Sequence, residues 1–192
     1  NLEVRGPIGR IFNSILGLEE NRADTGTMAF NKDQLRHFLD EVLGLCKGEM
    51  FRSVKLGKVA SALMETLDTN KDGLVSWIEF QGFREQVLTT FAPGLGAENS
   101  SQEIAGAADA QYNELGSKDG ECPDSIGYGT LQDGIERGLP SETKHKSVIS
   151  QLATRIAIFA VDKDEASKPL TERSLKRSEW KDAATSIHNN MQ

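Results

Sequence analysis

Apolar residues recur along this chain at the three-and-four spacing of helices buried on one face, in blocks separated by short polar turns. The first block predicts a helix from about Leu2 to Leu18, with Ile8, Ile11, Phe12, Ile15 and Leu16 on one face. A polar stretch with Asp24 and Gly26 follows. Asn31-Lys-Asp-Gln34 then carries capping-box chemistry and opens a helix through Leu35, Phe38, Leu39 and Val42. The order is helix, loop, helix.

The same order repeats three more times. After Gly44 and Gly48, Leu56, Val59, Ala60, Leu63 and Leu67 mark one face of an entering helix, and Phe80, Phe83, Val87 and Phe91 mark the helix that leaves. Pro93-Gly94 ends that helix, and a Gly/Ala/Ser-rich segment makes 92–101 a linker between two halves, 1–91 and 102–192. Ser100 and Glu103 form another capping box at the head of a helix to about Leu115. A loop over 116–125 and a short helix with Leu131 and Ile135, stopped at Gly138-Leu-Pro140, complete the third unit. The fourth has an entering helix with Val148, Leu152, Ile156 and Phe159, a loop from Asp162, and an exit helix with Trp180, Ala184 and Ile187. The fold class expected is all-α, with short β-pairing between loops.

Composition narrows the function. The net charge of −7 argues against a phosphate-backbone binder and suits a protein that handles cations, so no nucleic-acid partner is expected. No run of 18 apolar residues exists, hence no membrane span is expected. Cys46 and Cys122 lie far apart without metal-ligand spacing and read as free thiols of a reducing compartment, which makes a cytoplasmic location the expectation. His37, His145 and His188 have no companion at metal or triad spacing, and Gly94-Leu-Gly96 lacks the third glycine of a dinucleotide fingerprint. A binding protein is expected rather than an enzyme.

The chemistry concentrates in residues 68–79, Asp-Thr-Asn-Lys-Asp-Gly-Leu-Val-Ser-Trp-Ile-Glu. Calcium is a hard cation that takes six to eight oxygens, and this spacing offers them from one turn. Asp68, Asn70 and Asp72 present side-chain oxygens, Leu74 its carbonyl, Ser76 a bridging water, and Glu79 both carboxylate oxygens. Gly73 allows the left-handed backbone of the turn. Val75 is placed to pair with a neighbouring loop. Taken apart, Ser76 with Glu79 is also a capping box, and Asp-x-Asn-x-Asp-Gly is also a polar turn. Magnesium, with its strict octahedron, makes poor use of a bidentate Glu79, so Ca2+ is the cofactor expected.

Residues 50–91 resemble an ordinary EF-hand. The four-unit organisation is similar to the sarcoplasmic calcium-binding protein and calexcitin-like group, in which some hands are degenerate. That resemblance implies two lobes of paired EF-hands, a calcium-buffering or calcium-sensing role, and no catalysis.

The other three loops depart from the motif. Aligning Phe30 with Val75 and Leu35 with Phe80 sets the first loop at 23–34, with Ala23, Thr25, Thr27 and Gln34 where acids or amides belong. Its expected role is pairing with the second loop. Ile126, Tyr128 and Leu131 set the third at 119–130; Asp119 and Glu121 could coordinate, but Pro123 and Thr130 stand where a ligand and the bidentate acid belong, so an empty scaffold is expected. In the fourth, Asp162, Asp164 and Glu179 sit at the right ends, yet eighteen residues span them where twelve belong, with Pro169 inside. An ion there requires the extra residues to bulge away.

Two functions follow as expectations. One is a calcium sensor whose filled loop moves helices and exposes a groove for a protein partner. The other is a structural or adaptor subunit in which one calcium stiffens the scaffold.

Overall fold

Pro7 is the reason the first helix starts later than its apolar pattern suggests. A residue before proline is steered away from the helical region, whereas proline itself suits the first helical turn. In a computed structural model, which describes residues 2–42, 53–116, 124–143, 146, 150, 153–154 and 174–191, helix α1 spans Gly6–Ile15. Its other end is a Schellman motif: the Leu18 amide donates to Asn13 O at 3.0 Å and the Gly17 amide to Ser14 O at 3.1 Å. The helix expected over Leu2 to Leu18 is thus shorter at both ends, and Leu2–Val4 instead crosses the following loop, where the Val4 amide donates to Ala23 O at 3.1 Å.

The chain divides into two compact units, Asn1–Phe83 and Arg84–Gln192. In the first, strand β1 (Ala29–Asn31) leads into α2 (Lys32–His37), which continues as a π-helical turn over Phe38–Val42. The capping box at its head is present: Asn31 Oδ1 accepts the Gln34 amide and Gln34 Oε1 accepts the Asn31 amide, both at 2.9 Å. Helix α3 (Ser53–Leu67) and strand β2 (Leu74–Ser76) follow, and α4 (Trp77–Phe91) starts in this unit.

β1 and β2 run antiparallel with Phe30 opposite Val75, both fully buried. Around this pair Phe12 packs on Phe30 at 5.8 Å, on Trp77 at 5.2 Å and on Phe80 at 5.6 Å between ring centroids, and Phe30 meets Phe80 edge-on. Such ring pairs add about 0.5–1.5 kcal/mol each beyond their burial. The aromatic cluster therefore fastens the strand pair to α1 and α4.

The second unit holds the rest of α4, then α5 (Ser101–Gly116), strand β3 (Ser125–Gly127), α6 (Tyr128–Gly138), strand β4 (Ser174–Lys176) and α7 (Arg177–Asn189). Lys146, Ser150, Ala153 and Thr154 are also helical. Ser100 and Glu103 form the expected cap on α5, with the Ser100 amide donating to Glu103 Oε2 at 2.7 Å. β3 and β4 pair antiparallel with Ile126 opposite Leu175, repeating the arrangement of the first unit. Tyr112 locks that pair, since its hydroxyl donates to Leu175 O at 2.6 Å. Trp180 stacks on Phe91 at 4.1 Å. The protein is mostly helical with two small antiparallel sheets, and no helix among the described residues is long and apolar enough to cross a membrane.

Candidate metal centre

The loop from Asp68 to Glu79 begins where α3 stops. The Asp68 amide still closes the last helical turn on Met64 O at 2.8 Å, and the chain then turns through two left-handed residues, Lys71 (φ 60°) and Gly73 (φ 84°). An ideal Cβ on Gly73 would meet nothing within 4 Å, so glycine serves backbone conformation here rather than space. Lys71 bears the same conformation with a side chain. This is a cost that open polar turns tolerate.

Side-chain oxygens hold this winding from inside. Asp68 Oδ1 accepts the Asp72 amide at 3.2 Å and Oδ2 accepts the Gly73 amide at 2.9 Å. Asn70 Oδ1 accepts the Asp72 amide at 2.9 Å, and Asp72 Oδ1 accepts the Leu74 amide at 2.8 Å. Asn70 and Asp72 form successive Asx turns, each bonding the backbone two positions ahead, while Asp68 reaches the amides four and five positions ahead. Every expected side-chain oxygen of the first half therefore accepts a backbone amide of the loop.

Glu79 reaches across from the first turn of α4. Its Oε2 accepts the Ser76 amide and hydroxyl, each at 2.9 Å, while Oε1 accepts the Thr69 amide at 3.1 Å, the Thr69 hydroxyl at 3.2 Å and the Asn70 amide at 3.3 Å. Partial desolvation pulls this carboxyl up. The hydrogen bonds from Ser76, Asn70 and Thr69 outweigh that effect and hold it below the usual carboxylate value. The Ser76 hydroxyl oxygen also accepts the Glu79 amide at 3.3 Å, so the capping box and the loop closure are one structure.

All six predicted positions therefore lie on one turn. Leu74 opens β2 and is 43 % exposed. The donors are all oxygen, a set that suits a hard cation and not zinc or copper. The loop carries three carboxylates and one ammonium, Lys71. Among the described residues no three His, Cys, Asp or Glu side chains gather into a cluster that could hold a metal ion. Asp68, Asp72 and Glu79 are each engaged with loop amides, and the other three positions offer amide, hydroxyl or backbone oxygen.

The first loop is closed differently. Asn13, on α1 and fully buried, donates from Nδ2 to Glu20 O and Arg22 O, each at 2.8 Å, and its Oδ1 accepts the hydroxyl of the equally buried Thr25. Leu2 O lies 1.5 Å from where a Cβ on Gly26 would stand, so the N-terminal segment is pressed against this loop. Sequence reading overlooked Asn13, whose polar side chain on an apolar helix face was the available signal. Asp24, which flanks the aligned positions, is turned outward to Arg22 at 2.8 Å.

In the second unit, Glu179 Oε2 accepts the Lys176 amide at 2.8 Å, the same relation that Glu79 has to Ser76. Thr130 sits on α6. Asp119, Glu121 and Pro123 of the third loop, and Asp162, Asp164 and Pro169 of the fourth, lie outside the described residues, as do Cys46, Cys122 and His145. No protein-family model, curated protein or solved structure matches the chain.

Proposed function

We propose that this chain is a calcium-binding protein of the EF-hand kind, with one competent loop, Asp68–Glu79, in a scaffold of two paired lobes. The observation that carries the reading is the winding of that loop: Asp68, Asn70 and Asp72 each accept a loop amide, and Glu79 spans from α4 to the amides of Thr69 and Asn70. Asp68, Asn70, Asp72, Leu74, Ser76 and Glu79 would hold the ion. Bound calcium supplies charge that neutralises the carboxylates and ties α3 to α4. The symmetric strand register, Phe30 opposite Val75, supports a paired arrangement with the first loop.

In this reading the ion changes the relation of the flanking helices and so the surface offered to a protein partner. Isothermal titration of the full chain with calcium tests it directly. Binding at one site, with circular dichroism or apolar-dye changes over roughly 10⁻⁷ to 10⁻⁵ M, is the sensor outcome. Absence of binding at millimolar calcium sinks the proposal.

A structural or adaptor role with one stabilising calcium is the second reading. It draws on the first loop, where Asn13 and Thr25 make an internal closure in place of a cation site. Calcium that raises the melting temperature without altering dye binding favours that role over the sensor.

A further inference from the structure

Helix α1 delivers two adjacent residues to different tasks. Phe12 enters the ring cluster with Phe30, Trp77 and Phe80, and Asn13 enters the first loop. The Asn13 carboxamide makes three hydrogen bonds there while fully buried, two as a donor to the carbonyls of Glu20 and Arg22 and one as an acceptor from Thr25. Two carbonyl oxygens just before the first loop are thus satisfied by one side-chain amide, and the same amide's oxygen receives the Thr25 hydroxyl from inside the loop, a closure that needs no charge to be dehydrated.

The closure continues into the second loop. Thr25 O accepts the Met28 amide at 2.9 Å, which turns the chain into β1, and β1 pairs through Phe30 with Val75 between Leu74 and Ser76. Leu74 and Ser76 are two of the proposed ligand positions. The path from Asn13 to those ligands is thus one turn and one strand pair.

We propose that Asn13 is the positioning residue of the loop pair: it ties the segment entering the first loop to Thr25 within it and, through Thr25 and the Phe30–Val75 pairing, holds the second loop ready for its ion. The calcium part of this statement rests on the function proposed above. Two consequences follow. The first loop is ordered at any calcium concentration, and occupancy of the second loop follows a single-site curve.

The test uses the full chain with Thr25→Val, which removes the hydroxyl donated to Asn13, beside Asn13→Leu. Thr25→Ser keeps the hydroxyl, and Thr27→Val changes an exposed neighbour. In calcium-free buffer, Thr25→Val is expected to speed amide exchange about fivefold in both Ala29–Asn31 and Leu74–Ser76, the effect of losing one buried hydrogen bond. Exchange in α3 should stay as it was, which separates loss of positioning from general loss of stability. Calcium affinity should fall by about the same factor. Thr25→Ser and Thr27→Val should match the parent chain.

Unchanged exchange in Leu74–Ser76 in a folded Thr25→Val chain overturns the inference, as does faster exchange with unaltered calcium affinity. If the parent chain takes up no calcium, the functional proposal fails and the exchange measurements alone decide the role of Asn13.

Discussion

Ser76 and Glu79 hold each other at the head of α4: the Ser76 amide and hydroxyl both donate to Glu79 Oε2 at 2.9 Å, and the Ser76 oxygen accepts the Glu79 amide at 3.3 Å. All of the groups around this carboxylate are donors. Glu79→Gln sets an amide NH₂ against at least one of them, so the calcium-free chain should lose about 1 kcal/mol, the size of a lost helix cap. Calcium affinity should fall on the order of 100-fold, the loss of a charged bidentate ligand. Melting curves and calorimetric titration read the two effects separately. Acid should mimic the first effect: because the folded carboxyl is held below its ordinary value, its contribution is complete above that value and is lost as pH falls through the lower one.

Gly73→Ala isolates backbone strain. Nothing lies within 4 Å of the added Cβ, and φ is 84°, so the penalty comes from the left-handed conformation alone. It should cost about 1 kcal/mol and lower the melting temperature by about 2–4 °C, measured without calcium. An unchanged melting temperature means that the turn relaxes when glycine is replaced.

Tyr112 provides a reporter in the second unit. Burial, the largest influence, pushes its hydroxyl up to about 12, against the hydrogen bonding and the Arg177 guanidinium that act in the other direction. The folded value exceeds the unfolded one, so the stabilisation is complete below about 10 and declines as pH rises towards about 12. Tyrosinate absorbance should show a late-titrating component, and Tyr112→Phe should remove it. The same substitution leaves Leu175 O without its partner at 2.6 Å and should destabilise by about 1–2 kcal/mol.

The two tryptophans can assign the ion. Trp77 lies within the loop and contacts Phe12 at 5.2 Å, whereas Trp180 follows Glu179 and stacks on Phe91 at 4.1 Å. A calcium-dependent emission change should persist in Trp180→Phe and vanish in Trp77→Phe. The reverse pattern places the ion in the fourth loop.

Periodicity and capping chemistry made much of the helical framework legible. Gln34 and Glu103 announce their helix starts because an N-cap needs a side chain at a fixed offset, and both caps are present. The apolar residues Phe30, Val75 and Ile126 are aligned from sequence, and each sits at the centre of a strand pair, with Leu175 opposite Ile126. At the candidate site, the oxygen spacing from Asp68 to Glu79 and the turn at Gly73 could be read directly. Less legible were features set by partners distant in sequence. Leu2–Val4 is expected at the start of the first helix, but Pro7 shifts the helix start to Gly6 and the Val4 amide bonds the Ala23 carbonyl instead. Asn13 looks like a flaw on an apolar face until Glu20, Arg22 and Thr25 are folded around it.

The five hydrogen bonds on Glu79 also give the loop a rival to the proposed ion. An arriving cation must take both carboxylate oxygens from the Ser76, Thr69 and Asn70 donors, or share them, and so competes with the protein before it competes with water. The threshold concentration for filling is then set partly by side chains that never touch the ion. Substituting Thr69, which contributes both an amide and a hydroxyl to that contest, would tune the threshold while leaving the coordinating oxygens as they are.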